Sequence, residues 1–356
     1  MAGLVHSNAP LMALPPSDHG GDVMTDRFHW SKAVAGVMDA LVVPAFGAPG
    51  ILIRSQGWTE DLGRVDLRGQ RFIVTGANAG IGLAITTALA RQGAQVDLVC
   101  RDQLRATDAI ETVSNSVRST PYGPEAQLNV VLADLTDLQA TRAACVQLAQ
   151  DPTPIEALVH NAGALFSQRI LSPQGVEQTF ALHVLNPFLM TALLLKPFRE
   201  HRRARVIWVS SGGMYTQRLK VRDLAKGADR FDGVVAYAQC KRAQIEVMKR
   251  MHEGEHKHGL VISAMHPGWA DTRGVRESLP RFRQLTRWFL RDAAQGADTA
   301  LWLALSAEAK QAGGRLYLDR VPRSEHIPWS GTQTAEEDID ALWALCERLC
   351  GVTWPD

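Results

Sequence analysis

Phe72-Ile-Val-Thr-Gly-Ala-Asn-Ala-Gly-Ile-Gly82 is an apolar run that stops in a glycine-rich turn and resumes as a helical pattern from Ile81. Its order predicts a buried strand over 71–74, a tight turn and a helix. Gly76 permits the turn. Gly80 leaves room for a pyrophosphate that a Cβ would obstruct, and Gly82 lets the helix close on the strand. The first N–H groups and the dipole of that helix favour phosphate charge. With Asn78 and Ile81, these residues form a candidate dinucleotide cradle. The spacing is Thr-Gly-x-x-x-Gly-Ile-Gly, starting at Thr75, rather than Gly-x-Gly-x-x-Gly.

Downstream, the hydrophobic pattern alternates. Strands are predicted over 95–100, 128–133, 155–160, 205–210, 260–265 and 315–318. Helices are predicted over 104–117, 138–150, 176–198, 236–252 and 293–305, the third kinked at Pro187. This rhythm predicts an α/β fold, a doubly wound parallel sheet of about seven strands with helices on both faces. The expected organisation is an N-terminal extension over 1–68, a Rossmann-type domain over 69–320 and a tail over 321–356. In the tail, Thr334-Ala-Glu-Glu337 reads as a capping box. Ile339, Leu342, Trp343, Cys346 and Leu349 follow it at helical spacing, a stripe that must bury against its own domain or a partner subunit.

The extension has no basic start followed by an apolar run and a cleavage site, so no signal peptide is read. Residues 33–53 are long enough to cross a bilayer, but Asp39, Pro44 and Pro49 interrupt them. A helix packed on the domain or on a second subunit is the expectation, with membrane-surface contact as the other reading. A net charge of +1 gives no basis for nucleic-acid binding. The five cysteines are scattered, which argues for a reducing, cytoplasmic compartment. Cys346 and Cys350 read as buried small apolar residues, and no metal is expected.

Ligands of such sheets bind outside the carboxyl ends of the strands. An acid ending the second strand would hold a ribose 2′-hydroxyl. Here Cys100 ends it and Arg101 follows, which suits a 2′-phosphate and favours NADP(H) over NAD(H). Asp102 keeps NAD(H) open. Asp134-Leu135 follows the third strand, where the acid suits an adenine amino group or a helix cap. Asn161-Ala162-Gly163 follows the fourth, suited to lying against the ribose on the nicotinamide side. Ser210-Ser211 follows the fifth. Tyr237 and Lys241 are one helical turn apart and share a face. A free tyrosine has a pKa near 10 and is a poor base at neutral pH. A nearby ammonium favours the phenolate, which moves the phenol toward general acid/base work, while a serine hydroxyl orients the substrate oxygen.

Together these motifs resemble the short-chain dehydrogenase/reductase family over roughly 71–318. The resemblance implies hydride transfer between NAD(P)H and a carbonyl/alcohol pair. It implies Ser211, Tyr237 and Lys241 as the catalytic set, and a Pro267-Gly268 to Thr272 stretch near the nicotinamide. Ser-Ser-Gly-Gly-Met214, Phe-Asp-Gly233, Tyr-Ala-Gln-Cys-Lys-Arg242 and Ala-Gln-Gly-Ala-Asp298 resemble the dehydrogenase/reductase SDR family member 12 group, whose resemblance sharpens the family and not the substrate. One departure stands out. His183 lies where the family usually has an asparagine thought to hold a water in a proton relay. A histidine there can donate or accept, and Asn186 is one turn further along. A small-molecule carbonyl or alcohol is the expected partner, and a homo-oligomer the expected assembly. The alternative is a non-catalytic cofactor-binding scaffold or redox sensor acting through its terminal extensions.

His252-Glu-Gly-Glu-His256 spells a zinc-protease motif. Gly254 weakens its helix, and the motif lies about four turns from Tyr237, away from the crevice, so a zinc role is not expected.

Overall fold

The computed structural model describes residues 46–270, 288–327 and 330–355. Its strands are β1 (Arg71–Thr75), β2 (Gln95–Cys100), β3 (Gln127–Leu132), β4 (Ile155–His160), β5 (Arg205–Val209), β6 (Val261–Met265), β7 (Leu316–Leu318) and β8 (Val321–Arg323). They form one sheet in the order β3-β2-β1-β4-β5-β6-β7-β8. All pairings are parallel except the last, which is antiparallel. Every residue of β1, β2 and β5 is buried, as expected of parallel strands covered on both faces. The order reverses between β1 and β4, and this switch point opens a crevice at their carboxyl ends.

The main helices are α1 (Ala48–Ser55), α2 (Gly80–Ala90), α3 (Gln103–Val117), α4 (Leu138–Ala149), α5 (Gln178–Leu193), α6 (Leu195–His201), α7 (Gly233–Glu255), α8 (Ala293–Leu305) and α9 (Glu336–Cys350). One apolar cluster packs α4, α5, α7 and α9 on one face of the sheet. A second packs α2 and α8 on the other. Among the described residues no single helix is long and apolar enough to cross a membrane.

Three expectations are corrected. First, the sheet has eight strands. Asp319 and Arg320 form the β7–β8 turn with φ of 54° and 62°. A two-residue turn of that kind normally announces itself by Asn-Gly or Asp-Gly. Asp-Arg gives no such signal, and Pro322 reads against a strand; it is tolerated on this edge.

Second, the long helix does not kink at Pro187. A π-turn over Ala181–Leu185 precedes the proline, and the 56° bend comes between α5 and α6, at Leu194. Pro187 has no N–H for the carbonyl of His183. Gln244 on α7 donates its side-chain amide to that oxygen instead, at 2.7 Å.

Third, Thr334 and Glu337 make no capping box. Ala335 is the N-cap of α9 and Thr334 instead donates to Glu246 at 2.8 Å. A full capping box does occur at Asp292 and Gln295, opening α8.

The tail buries its stripe against its own domain. Leu342, Cys346 and Cys350 are buried, and Trp343 and Trp354 both meet Phe188 of α5, at 5.2 and 5.5 Å between ring centroids. The described end of the extension, from Phe46 through α1, also packs on the domain. Arg54 on α1 pairs with the buried Asp319. The rest of the 33–53 run lies outside the described residues.

Candidate active site

The cradle between β1 and α2 is shaped by glycine. Gly76 and Gly80 have φ of 64° and 53°, the left-handed region that side chains disfavour. A Cβ on Gly82 would lie 2.9 Å from the Gly76 carbonyl carbon and collide with its oxygen, so only glycine lets α2 start this close to the turn. The N-cap of α2 is Ala79, which supplies no side-chain cap. By contrast, Asp102, Asp137, Asp232 and Asp292 cap α3, α4, α7 and α8. The first N–H groups of α2 are therefore left for a ligand phosphate. These features fit a dinucleotide.

Around the cradle, Cys100 ends β2 with a neutral thiol. Burial pushes it up to about 11, and the Ala77 and Asn78 N–H groups bond to its sulfur. Asp102, the acid that kept NAD(H) open, caps α3 through one carboxylate oxygen, accepting from the Arg105 N–H at 3.0 Å. Arg101 is exposed beside the cradle. Asp134 accepts both the N–H and the hydroxyl of Thr136 at 2.9 Å, with Leu135 buried next to it. Asn161 bridges the switch point: its amide donates to the carbonyls of Thr75 (2.9 Å) and Gly76 (3.3 Å). The N–H groups of Asn161 and Ala162 both donate to the Thr75 hydroxyl at 3.0 Å. Thr75, which the sequence reading placed in the motif without a role of its own, thus ties the two sides of the switch point together. Its signal was the Thr-Gly pair at the end of β1.

At the carboxyl end of β5, Ser211 caps a short 3-10 turn over Gly212–Thr216. Its hydroxyl accepts from the Gly213 N–H at 3.3 Å and lies near the Tyr237 phenol, which is partly buried in the second turn of α7. Lys241 is buried, donates from Nζ to the Val209 carbonyl at 2.8 Å and lies 5.4 Å from the Tyr237 ring centroid. The electrostatics differ from the sequence expectation. Burial raises the Tyr237 pKa, with the nearby Ser211 hydroxyl working against it. Burial also pushes Lys241 down to about 7. Desolvation is the largest cause of both shifts.

His183 belongs to the same cluster. Its ring meets Tyr237 edge-on at 5.1 Å, and its Nε2 donates to the Ala164 carbonyl at 2.8 Å. That bond makes Nδ1 the unprotonated nitrogen, and Nδ1 has no hydrogen-bond partner among the described residues. Burial, reinforced by Lys241, holds the imidazole neutral. A Cβ on Gly163 would lie 2.8 Å from the His183 ring, so that glycine makes room for the imidazole. Asn186 points elsewhere and donates to Thr141 at 2.6 Å.

After β6, Pro267 and Gly268 stand at the crevice, Gly268 with φ of 73°. Thr272 lies outside the described residues. The zinc-protease motif is not assembled as a site. His252 sits over Gly313 and Gly314 and accepts from the Ile262 N–H at 3.4 Å. Among the described residues no group of three or more metal-ligating side chains occurs.

The family model described as short chain dehydrogenase matches residues 70–281. Human dehydrogenase/reductase SDR family member 12 is 38% identical over 287 residues, covering 80% of this chain and 87% of the relative. Mouse retinol dehydrogenase 12 is 27% identical over 292 residues, covering 82% and 89%. A solved structure of an uncharacterized protein from Mycobacterium paratuberculosis superposes with a TM-score of 0.62 at 26% identity, covering 81% of this chain and 96% of that one.

Proposed function

Because this chain belongs to the short chain dehydrogenase family, and is a nicotinamide-dependent oxidoreductase of small molecules, we propose that it is an NADP(H)-preferring carbonyl reductase or alcohol dehydrogenase with Tyr237 as its general acid/base. The observation that carries the reading is the cluster of Ser211, Tyr237, Lys241 and His183 at the carboxyl end of β5, beside a glycine cradle shaped for a dinucleotide. A bound nicotinamide supplies a hydride. Gly76, Asn78, Gly80, Ile81 and Gly82 would hold the pyrophosphate side, with Arg101 at a 2′-phosphate and Asp134 toward the adenine. Asn161, Ala162, Gly163, Pro267 and Gly268 would flank the nicotinamide side.

In this reading Ser211 fixes the substrate oxygen and Tyr237 passes a proton to it. Raising the phenol pKa by burial keeps Tyr237 protonated before reduction, as a proton donor requires. Burial pushes Lys241 down to about 7, which eases loss of a proton from its ammonium. His183 offers a neutral acceptor, Nδ1, beside both. The named activity of retinol dehydrogenase 12 extends the reading to an alcohol or aldehyde on a large apolar body.

Replacing Tyr237 with Phe keeps the ring and removes the proton. Turnover of a ketone with NADPH should fall by about 10²–10⁴-fold, while NADPH binding, followed by tryptophan-to-nicotinamide energy transfer, stays within about twofold of wild type. Unchanged turnover in that variant sinks the mechanism. Cofactor binding with no turnover by wild type across ketones and alcohols favours the scaffold reading instead.

A further inference from the structure

We infer that the described end of the N-terminal extension, at Phe46, lines the substrate pocket, with Phe46 as a specificity-determining residue for a carbonyl or alcohol carried on a flat apolar or aromatic body. The inference rests on the oxidoreductase reading above.

Phe46 lies before the first strand, yet its ring sits among residues from two crevice segments. Its centroid is 4.8 Å from that of His266, 6.1 Å from Trp269 and 6.5 Å from Tyr215. Tyr215 belongs to the turn that Ser211 caps, and His266 and Trp269 flank Pro267-Gly268. Gly212, next to Ser211, comes so close to His266 that a Cβ there would lie 2.9 Å from Nε2. One imidazole therefore separates the backbone beside the candidate catalytic serine from the ring of Phe46.

The ring is held in place by its backbone. The Phe46 carbonyl accepts from the Trp269 N–H at 2.7 Å, and the Gly47 carbonyl accepts from Arg291 at 3.1 Å. Ala48 donates to the Phe289 carbonyl at 2.7 Å. Gly268 takes part in the fit: a Cβ there would lie 2.6 Å from the Phe46 oxygen. The Pro-Gly segment is thus shaped around this extension as well as around the crevice.

What the cluster presents is chemically narrow. The Tyr215 hydroxyl is spent on the Ser324 carbonyl at 2.7 Å, and its ring stacks on Phe46 with 28° between planes. His266 accepts from the Gly268 N–H through Nδ1. Phe46, Tyr215 and Trp269 remain partly exposed. Phe46 has no polar end and that of Tyr215 is engaged, so ring faces are what these two offer. Ring faces select flat apolar partners, which stack or meet them edge-on.

The test is a ketone series with NADPH, from 2-butanone to 2-acetylnaphthalene, run on wild type, Phe46→Ala and Phe46→Leu. For the naphthyl ketone, kcat/KM should fall by about tenfold or more in both variants, the scale of one lost aromatic contact in a closed pocket. For 2-butanone it should stay within about twofold, and NADPH affinity should not move. Phe46→Leu fills most of the space and decides the question if Phe46→Ala does not fold. Equal losses on both ketones, or no loss, overturn the inference while leaving the oxidoreductase reading intact. A wild type inert toward every ketone, and toward alcohols with NADP, overturns that reading itself.

Discussion

On the β1–β2 side of the crevice the chain builds its site from backbone; on the β6–β8 side it builds from buried charge and rings. The cradle side uses two left-handed glycines, an uncapped helix start and Asn161 tying carbonyls across the switch point. The other side places the Asp319 carboxylate between Arg54 and Arg291, both buried, and hangs the Phe46 segment from Arg291 and Trp269. Backbone geometry is local and written in a short motif. A charge cluster joins residues far apart in sequence, and no part of it means anything without the others. Two different failures follow when each is broken.

The largest effect belongs to the charged side. Asp319→Ala removes a carboxylate that accepts from Arg291 at 2.9 Å and also pairs with Arg54. Breaking a buried pair of this kind typically costs about 3–5 kcal/mol. Urea denaturation should register a loss of that order, and the Phe46 segment should loosen with it. NADPH affinity of the variant that remains folded should fall only as far as the Pro267-Gly268 segment loosens, because Arg291 also holds the Pro267 carbonyl. A variant with wild-type stability would show that the cluster is not what holds α1 to the domain.

Lys241 gives the next effect, with the opposite sign. Its folded pKa is depressed to about 7 from an ordinary 10.5. Between those values the unfolded chain binds a proton that the folded chain does not, so this residue makes stability rise with pH, by at most about 1.4 kcal/mol per unit. Below about 7 both states are protonated and the full penalty of burying the ammonium stands. Lys241→Met should therefore stabilise the unliganded protein by a few kcal/mol at pH 6, with the gain shrinking toward pH 10. Melting curves of both proteins across that range test it. A gain that does not vary with pH would mean that shape, and not charge burial, sets the difference.

How far the sequence reached follows the same division. The motif at Thr75–Gly82, the Asn161 triplet and the Ser211, Tyr237 and Lys241 candidates could be picked out as short patterns at strand ends and on one helix turn, and the fold brings them to one crevice. The β2 and β4 bounds agree with the pattern to the residue. The eighth strand was not legible because Asp319 and Arg320 hold positive φ without a glycine, in a turn stabilised by Asp319 pairing with distant arginines. The break in the long helix was misplaced because Gln244 satisfies the carbonyl freed at His183, so Pro187 is absorbed by a π-turn. The effect of burial on Tyr237 and Lys241 was missed because spacing shows that two groups are near, and not how dry they are. Phe46 carries no motif at all, and only the fold brings it to the crevice.

The smallest effect returns to the cradle and sharpens its one charged feature. Arg101 is exposed, follows a strand that ends in a neutral thiol, and has beside it an acid that caps α3 through one oxygen. If it reads a 2′-phosphate, Arg101→Ala should lower the NADPH-over-NADH preference by about tenfold, the low end for a charge-assisted hydrogen bond because the site faces water. Melting temperature should not change. The wild-type preference should itself weaken with added salt, since exposed charges separated by more than about 8–10 Å are screened at physiological ionic strength and closer ones are weakened. Paired titrations with NADPH and NADH at low and high salt measure both. A preference that survives the substitution would transfer the reading of the ribose to the backbone of the turn, and the cradle would then be built without side-chain charge throughout.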